Sequence, residues 1–112
     1  MRPVLVVEDD ASTRELLATC LELGGIPVVT ARNGREGLER LAREEPSLIL
    51  LDLNMPVMDG EQFRRAQLSD SHYSRIPTIL LTAVHNAAQR AKELGAGLLP
   101  KPFNVDLSLI HI

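Results

Sequence analysis

Five short apolar runs alternate with amphipathic segments along this chain, and that alternation leaves few folds open. The runs occupy residues 4–7, 26–31, 48–51, 76–81 and 97–99. Such runs, bounded by turn residues, suit strands buried on both faces better than helices. Strand and helix patterns in strict alternation argue for a parallel sheet with helices on both faces. Right-handed crossovers leave few topologies. The order 2-1-3-4-5 puts strands one and three side by side in the middle of a doubly wound five-stranded sheet.

The intervening segments carry helix punctuation. Ser12 and Glu15 read as a capping box. Leu16, Leu17, Cys20, Leu21 and Leu23 then recur at helical spacing until Gly24-Gly25. Asn33 and Glu36 repeat the capping pattern, Leu38, Leu41 and Ala42 form an apolar face, and Pro46 stops helix two. Helix three starts near Gly60 with Phe63 and Ala66 turned inward. Helix four covers 85–94, with Ala87, Ala88, Ala91 and Leu94 inward, and ends at Gly95. The last segment, 104–112, fits a helix through Val105, Leu109 and Ile112, and a strand through Leu107 and Leu109.

Composition narrows the functional classes. A chain of 112 residues suits one domain, 1–112. The formal charge is −3, and no Lys/Arg run exceeds Arg64-Arg65, which argues against direct nucleic-acid binding. Cys20 stands alone, so an internal disulfide and a Cys-based zinc site are both excluded. The first apolar run is too short for a signal peptide or membrane span, so a cytoplasmic location is expected.

Chemistry gathers at the strand ends. Glu8, Asp9 and Asp10 follow strand one, and Asp52 ends the strand-three run LILLD. Polar loops at the carboxyl edge of such a sheet, at its switch point, are where ligands bind. Glu8, Asp9 and Asp52 crowded there would repel one another unless a cation joined them. Hard oxygen ligands suit Mg²⁺, which uses one or two carboxylates and keeps several waters. Thr82 ends strand four with a hydroxyl, and Lys101 follows strand five with an ammonium. Carboxylates, metal, hydroxyl and lysine together make a phosphoryl-transfer site. Singly, each has a plainer role: Asp52 as a turn residue, Thr82 as a helix cap, Lys101 as a surface cation. Their arrival at one edge favours the joint reading.

VLVVEDD at 4–10, LLDLNMPVMDG at 50–60, LLTA at 80–83 and KPF at 101–103 occur in this order. With them the chain resembles the receiver domain of bacterial two-component response regulators. The resemblance covers nearly the whole chain. It implies a flavodoxin-like fold, and an Asp52 nucleophile that takes a phosphoryl group from a sensor histidine kinase or phosphotransfer protein. It implies Mg²⁺ held by Asp9, Asp52 and the backbone carbonyl of Asn54, with Glu8 acting through a water. Thr82 would bind the phosphoryl group, Lys101 would pair with it, and the Lys101-Pro102 bond would be cis. Such a domain signals by protein contacts and is not a dedicated enzyme, though slow self-dephosphorylation is expected.

The sequence departs from the family pattern in places. Glu8 replaces the commoner Asp. Leu98 stands where a switch aromatic is expected beside Thr82. The span from Thr82 to Lys101 is short, and the final helix is expected to be truncated. The last three of these departures fall on the usual output side. There, helix four, strand five and the C-terminal segment are expected to form a mainly apolar patch, suited to a homodimer or an unidentified downstream protein. Two rivals are a degenerate receiver that only binds partners, and an aspartate-nucleophile phosphohydrolase of the haloacid-dehalogenase type. The latter wants a second Asp where Asn54 stands.

Overall fold

A computed structural model describes residues 2–53, 55, 57–82 and 87–100. Its elements are β1 (Val4–Val7), α1 (Ala11–Leu23), β2 (Val28–Ala31), α2 (Gly34–Glu44), β3 (Leu48–Asp52), α3 (Gly60–Leu68), β4 (Thr78–Thr82), α4 (Ala87–Glu93) and β5 (Gly97–Pro100). The strands form one five-stranded sheet in the order β2-β1-β3-β4-β5, as expected from the sequence. Every pairing is parallel, with Val7 level with Leu51 and Asp52 level with Leu81.

Alternation along the strands splits the core in two. Leu5, Val7, Ile49, Leu51 and Leu80 pack with Leu41, Phe63 and Ala91 from α2, α3 and α4, and with Leu94 just after α4. Val4, Val6, Leu50 and Leu81 pack on the other face with Leu17 and Leu21 of α1. Helices therefore cover both faces, and the central strands β1 and β3 are buried almost throughout.

Several boundaries differ from the sequence expectation. α1 starts at Ala11, and its cap is Asp10 rather than Ser12. The Asp10 carboxylate accepts from the Thr13 backbone N–H at 2.9 Å and the Thr13 hydroxyl at 2.6 Å. Its apolar stripe is also narrower than expected: Leu17 and Leu21 are buried, whereas Leu16 and Leu23 are 52% and 83% exposed. Each residue turns the helix by about 100°, so neither lies on the Leu17–Leu21 line. β2 begins at Val28 because the Ile26 N–H is taken by the Leu21 carbonyl at the end of α1. β4 begins at Thr78, after the turn in which the Ile76 N–H binds Tyr73 O.

Asn33 caps α2 as expected, accepting from Glu36 N at 2.9 Å. Glu36 reaches back one residue further, to Arg32. Ala42 is exposed, because the buried line of α2 runs through Gly34, Gly37 and Leu41. α3 carries a reciprocal capping box between Asp59 and Gln62. Phe63 is fully buried, but Ala66 is only half-buried, and the other buried side chains of α3 are polar, Arg64 and Gln67. α4 ends at Glu93, one residue before the expected end, with Ala91 and Leu94 buried as anticipated, and residues 85 and 86 lie outside the described residues. The side chains of Ala87 and Ala88, and the whole 104–112 segment, lie outside the described residues.

Candidate functional site

The site begins with two adjacent strands of equal reach. Val7 pairs with Leu51, so Glu8 and Asp52 emerge side by side at the carboxyl edge of the sheet. Glu8 extends the edge of β1, its N–H donating to Ala31 O of β2 at 3.0 Å. Glu8 is fully buried, Asp52 is 5% exposed, and Asp9 is exposed. One carboxylate oxygen from each of Glu8, Asp9 and Asp52 lies within 4.8 Å of the others. Oxygen-only donors of this charge, at this spacing, fit a hard divalent cation such as Mg²⁺. Asp10, the last acid of the run, serves instead as the α1 cap.

The loop after Asp52 is laid down by close backbone contacts. A Cβ on Gly60 would lie 2.1 Å from the Asp52 carbonyl oxygen, so only glycine allows α3 to start against the end of β3. Gly60 N–H donates to Leu53 O at 3.0 Å. On the opposite side, Gly34 N–H, at the start of α2, holds Met58 O at 2.9 Å. Between these fixed points Val57 adopts φ 70° and stands 73% exposed. Positive φ is unusual for a β-branched residue, so the loop carries local strain beside the acidic cluster.

Of the remaining expected residues, the backbone of Thr82 reaches the same edge. Thr82 closes β4, in register with Pro100 of β5, immediately before Lys101. The Thr82 side chain, Asn54, Lys101 and the Lys101-Pro102 peptide bond lie outside the described residues. Leu98 is half-buried and packs against the core on the α2–α4 side, level with Leu80. The outer positions of α4 described here, Gln89, Lys92 and Glu93, are polar rather than apolar.

Two arginines belong to the molecule's working parts and are not singled out by the sequence pattern. Arg14, on α1, donates from Nη1 to the carbonyls of Glu8 at 2.9 Å and Asp9 at 3.3 Å. A cation near a helix N-terminus opposes the helix dipole, and that placement is a signal that it serves something else. Arg64 is 4% exposed and bonds to the Leu94 and Gly95 carbonyls just after α4, to Thr78 of β4 and to Gln67.

A doubly wound parallel sheet with a carboxylate cluster at its switch point defines a class of flavodoxin-like α/β domains with a candidate ligand site at that edge. Comparison with known proteins narrows it to one family. The family model of the response regulator receiver domain matches residues 4–111, and the chain belongs to that family. Response regulator MprA of Mycobacterium leprae is 37% identical over 112 residues, covering 97% of this chain and 48% of that protein. The transcriptional regulatory protein CpxR homolog of Haemophilus influenzae is 41% identical over 111 residues, covering 93% and 45%. The chain thus spans about half the length of these curated relatives. The solved chemotaxis protein CheY4 of Vibrio cholerae superposes with a TM-score of 0.89 at 36% identity, covering 99% of this chain and 95% of that one. The domain is therefore a two-component signalling receiver. No described helix is long and apolar enough to cross a membrane.

Proposed function

We propose that this domain is a phosphoacceptor: Asp52 takes a phosphoryl group from a sensor histidine kinase or phosphotransfer protein, with Mg²⁺ required. The observation that carries this reading is the convergence of Glu8, Asp9 and Asp52 within 4.8 Å. Mg²⁺ bound by Asp9 and Asp52, with Glu8 through water and the Asn54 carbonyl, would neutralise charge on the incoming phosphoryl oxygens. An Asp52 carboxylate oxygen forms the new bond to phosphorus as the donor's bond to phosphorus breaks. The donor imidazole, or acetate from acetyl phosphate, leaves with that electron pair. Burial of Asp52 at the end of a rigid strand fixes the attack direction. Thr82 and Lys101, carried at the ends of β4 and β5, would bind and pair with the transferred group.

Output goes through protein contacts on α4, β5 and the C-terminal segment, to a downstream protein or a second copy of the chain. Because α4 presents polar residues outward, the apolar part of such a patch would lie in the C-terminal segment. Leu98 lacks a polar tip, so a switch that depends on a hydrogen-bonding aromatic at this position is weakened.

The test is phosphorylation by acetyl phosphate, read by intact mass. Wild type gains one phosphoryl mass with Mg²⁺ and none with a chelator, and Asp52→Asn gains none. Labelling of Asp52→Asn at the wild-type rate would remove the assignment.

A further inference from the structure

We infer that Arg14 is a positioning residue for the metal-binding acids, acting through the main chain of Glu8 and Asp9. The inference rests on the phosphoacceptor reading. The Glu8–Asp9 segment leaves β1 and must turn into α1 while presenting two side chains of the same charge to one point. Repulsion between those carboxylates and Asp52 favours any movement that separates them. Something must therefore hold the segment from behind.

Two contacts do so from opposite directions. The Glu8 N–H is fixed on β2 through Ala31 O at 3.0 Å. Its carbonyl is fixed by Arg14 Nη1 at 2.9 Å, so both peptide planes flanking Glu8 are held. The same nitrogen reaches the Asp9 carbonyl at 3.3 Å, which restrains the peptide leading into the Asp10 cap. Arg14 is itself anchored, its N–H donating to Asp10 O at 2.9 Å within the first turn of α1. One side chain thereby closes a ring: acid segment, cap, helix turn, guanidinium, acid segment. Hydrogen bonds from a charged donor are short and strong enough for this restraint.

The charge of Arg14 and its bonds act in opposite senses on an arriving cation, which makes the idea testable. As a charge alone, Arg14 would repel Mg²⁺, and removing it would tighten binding. As a clasp, it keeps the acids converged, and removing it would loosen binding. The bonds go to backbone carbonyls of the residues that supply the ligands, so the clasp should dominate. Groups that orient metal ligands typically change metal affinity by about ten- to a hundred-fold when lost.

The experiment is Mg²⁺ titration calorimetry on the unphosphorylated chain, with acetyl phosphate labelling across a Mg²⁺ series. Arg14→Met keeps the apolar stem and removes the donors; Arg14→Lys keeps a donor and the charge. Arg14→Met should bind Mg²⁺ about tenfold more weakly. Its labelling rate should recover to within about twofold of wild type once Mg²⁺ is raised correspondingly. Arg14→Lys should recover part of the affinity. Amide resonance changes should centre on Glu8, Asp9 and Asp10. Unchanged or tighter Mg²⁺ binding in Arg14→Met would overturn the inference. So would a labelling defect that persists at saturating Mg²⁺, the mark of general misfolding. If wild type itself neither binds Mg²⁺ nor takes phosphate, the phosphoacceptor reading falls first and this inference with it.

Discussion

The carboxyl edge of the sheet and the Arg64 cluster treat charge in opposite ways. At the edge, three like-charged groups, Glu8, Asp9 and Asp52, are brought within 4.8 Å. Near the other end of β4, the buried Arg64 cation is bonded to neutral oxygens. Arg64 Nε donates to Leu94 O at 3.0 Å, Nη2 to Gly95 O at 3.0 Å, and Nη1 to Gln67 Oε1 at 2.7 Å and Thr78 Oγ1 at 2.8 Å. Gln67 passes the connection on to the carbonyls of Tyr73 and Ile76. Burial pushes the Arg64 guanidinium pKa down from its ordinary value, yet a guanidinium so far from neutrality stays charged. The two carbonyls of Leu94 and Gly95 end α4, where the helix dipole favours a cation. One arrangement is complete in itself and joins α3, β4 and the end of α4. The other, on the proposed phosphoacceptor reading, would receive a cation and a phosphoryl group. A saturated buried charge marks architecture, and the clustered like charges are the ones assigned to the proposed function.

The largest expected effect breaks the architectural side. Arg64→Met should destabilise the domain by about 3 kcal/mol, since it strands buried acceptors that a charged donor had satisfied. Arg64→Lys should recover little, because a point charge cannot reproduce a planar fork spanning Leu94, Gly95, Gln67 and Thr78. Urea unfolding followed by circular dichroism measures both. A loss below about 1 kcal/mol in Arg64→Met would mean the site repacks or hydrates, and the contrast with the acidic edge would weaken.

The second effect sharpens the functional side. A ligand that binds only the folded state at a hundred times its Kd stabilises by about 2.7 kcal/mol. Wild type should lose that increment when Mg²⁺ at that excess is chelated. Asp9→Asn should show almost no increment, because it removes one of the three converging carboxylates. Arg64→Lys, though weaker overall, should keep the full increment, since the two regions lie at opposite ends of β4. Loss of the Mg²⁺ increment in Arg64→Lys would show that the two regions are coupled rather than independent.

The two regions also differ in how far the residue pattern reveals them. The acidic edge follows from strand order and strand ends: apolar runs fix the strands, and the acids that follow them must share an edge. Helix starts are less determinate. Asp10 and Ser12 are both good caps, and the choice falls to Asp10 because Thr13 offers it both a backbone and a hydroxyl donor. Leu16 and Leu23 look like core residues by spacing, but the turn of α1 carries both off the buried Leu17–Leu21 line. Arg64 is the hardest to foresee. An arginine on a helix ordinarily faces water, and its partners Leu94 and Gly95 lie 30 and 31 residues onward. Only the packed position of α4 makes its burial favourable.

The smallest effect concerns a second link between the same two helices, on the surface. Glu61 of α3 accepts from Arg65 at 2.8 Å within its own helix and pairs with Arg90 of α4. The Arg65 hydrogen bond, aided by the charges of Arg90 and Arg65, outweighs burial and holds the Glu61 carboxyl below its ordinary pKa. A carboxylate whose pKa is lower folded than unfolded stabilises the fold above its unfolded pKa. That contribution is lost as pH falls through the folded value. Glu61→Gln should therefore cost about 0.5 kcal/mol at pH 7, the range of partly exposed ion pairs. The difference from wild type should shrink toward zero below the ordinary glutamate range of about pH 4.3. Other acids titrate alike in both proteins and cancel in the difference. Urea midpoints of the pair, measured at neutral and acid pH and again at high salt, provide the check. A difference that stays constant with pH would mean that Glu61 acts through packing, leaving Arg64 as the electrostatic tie between α3 and α4.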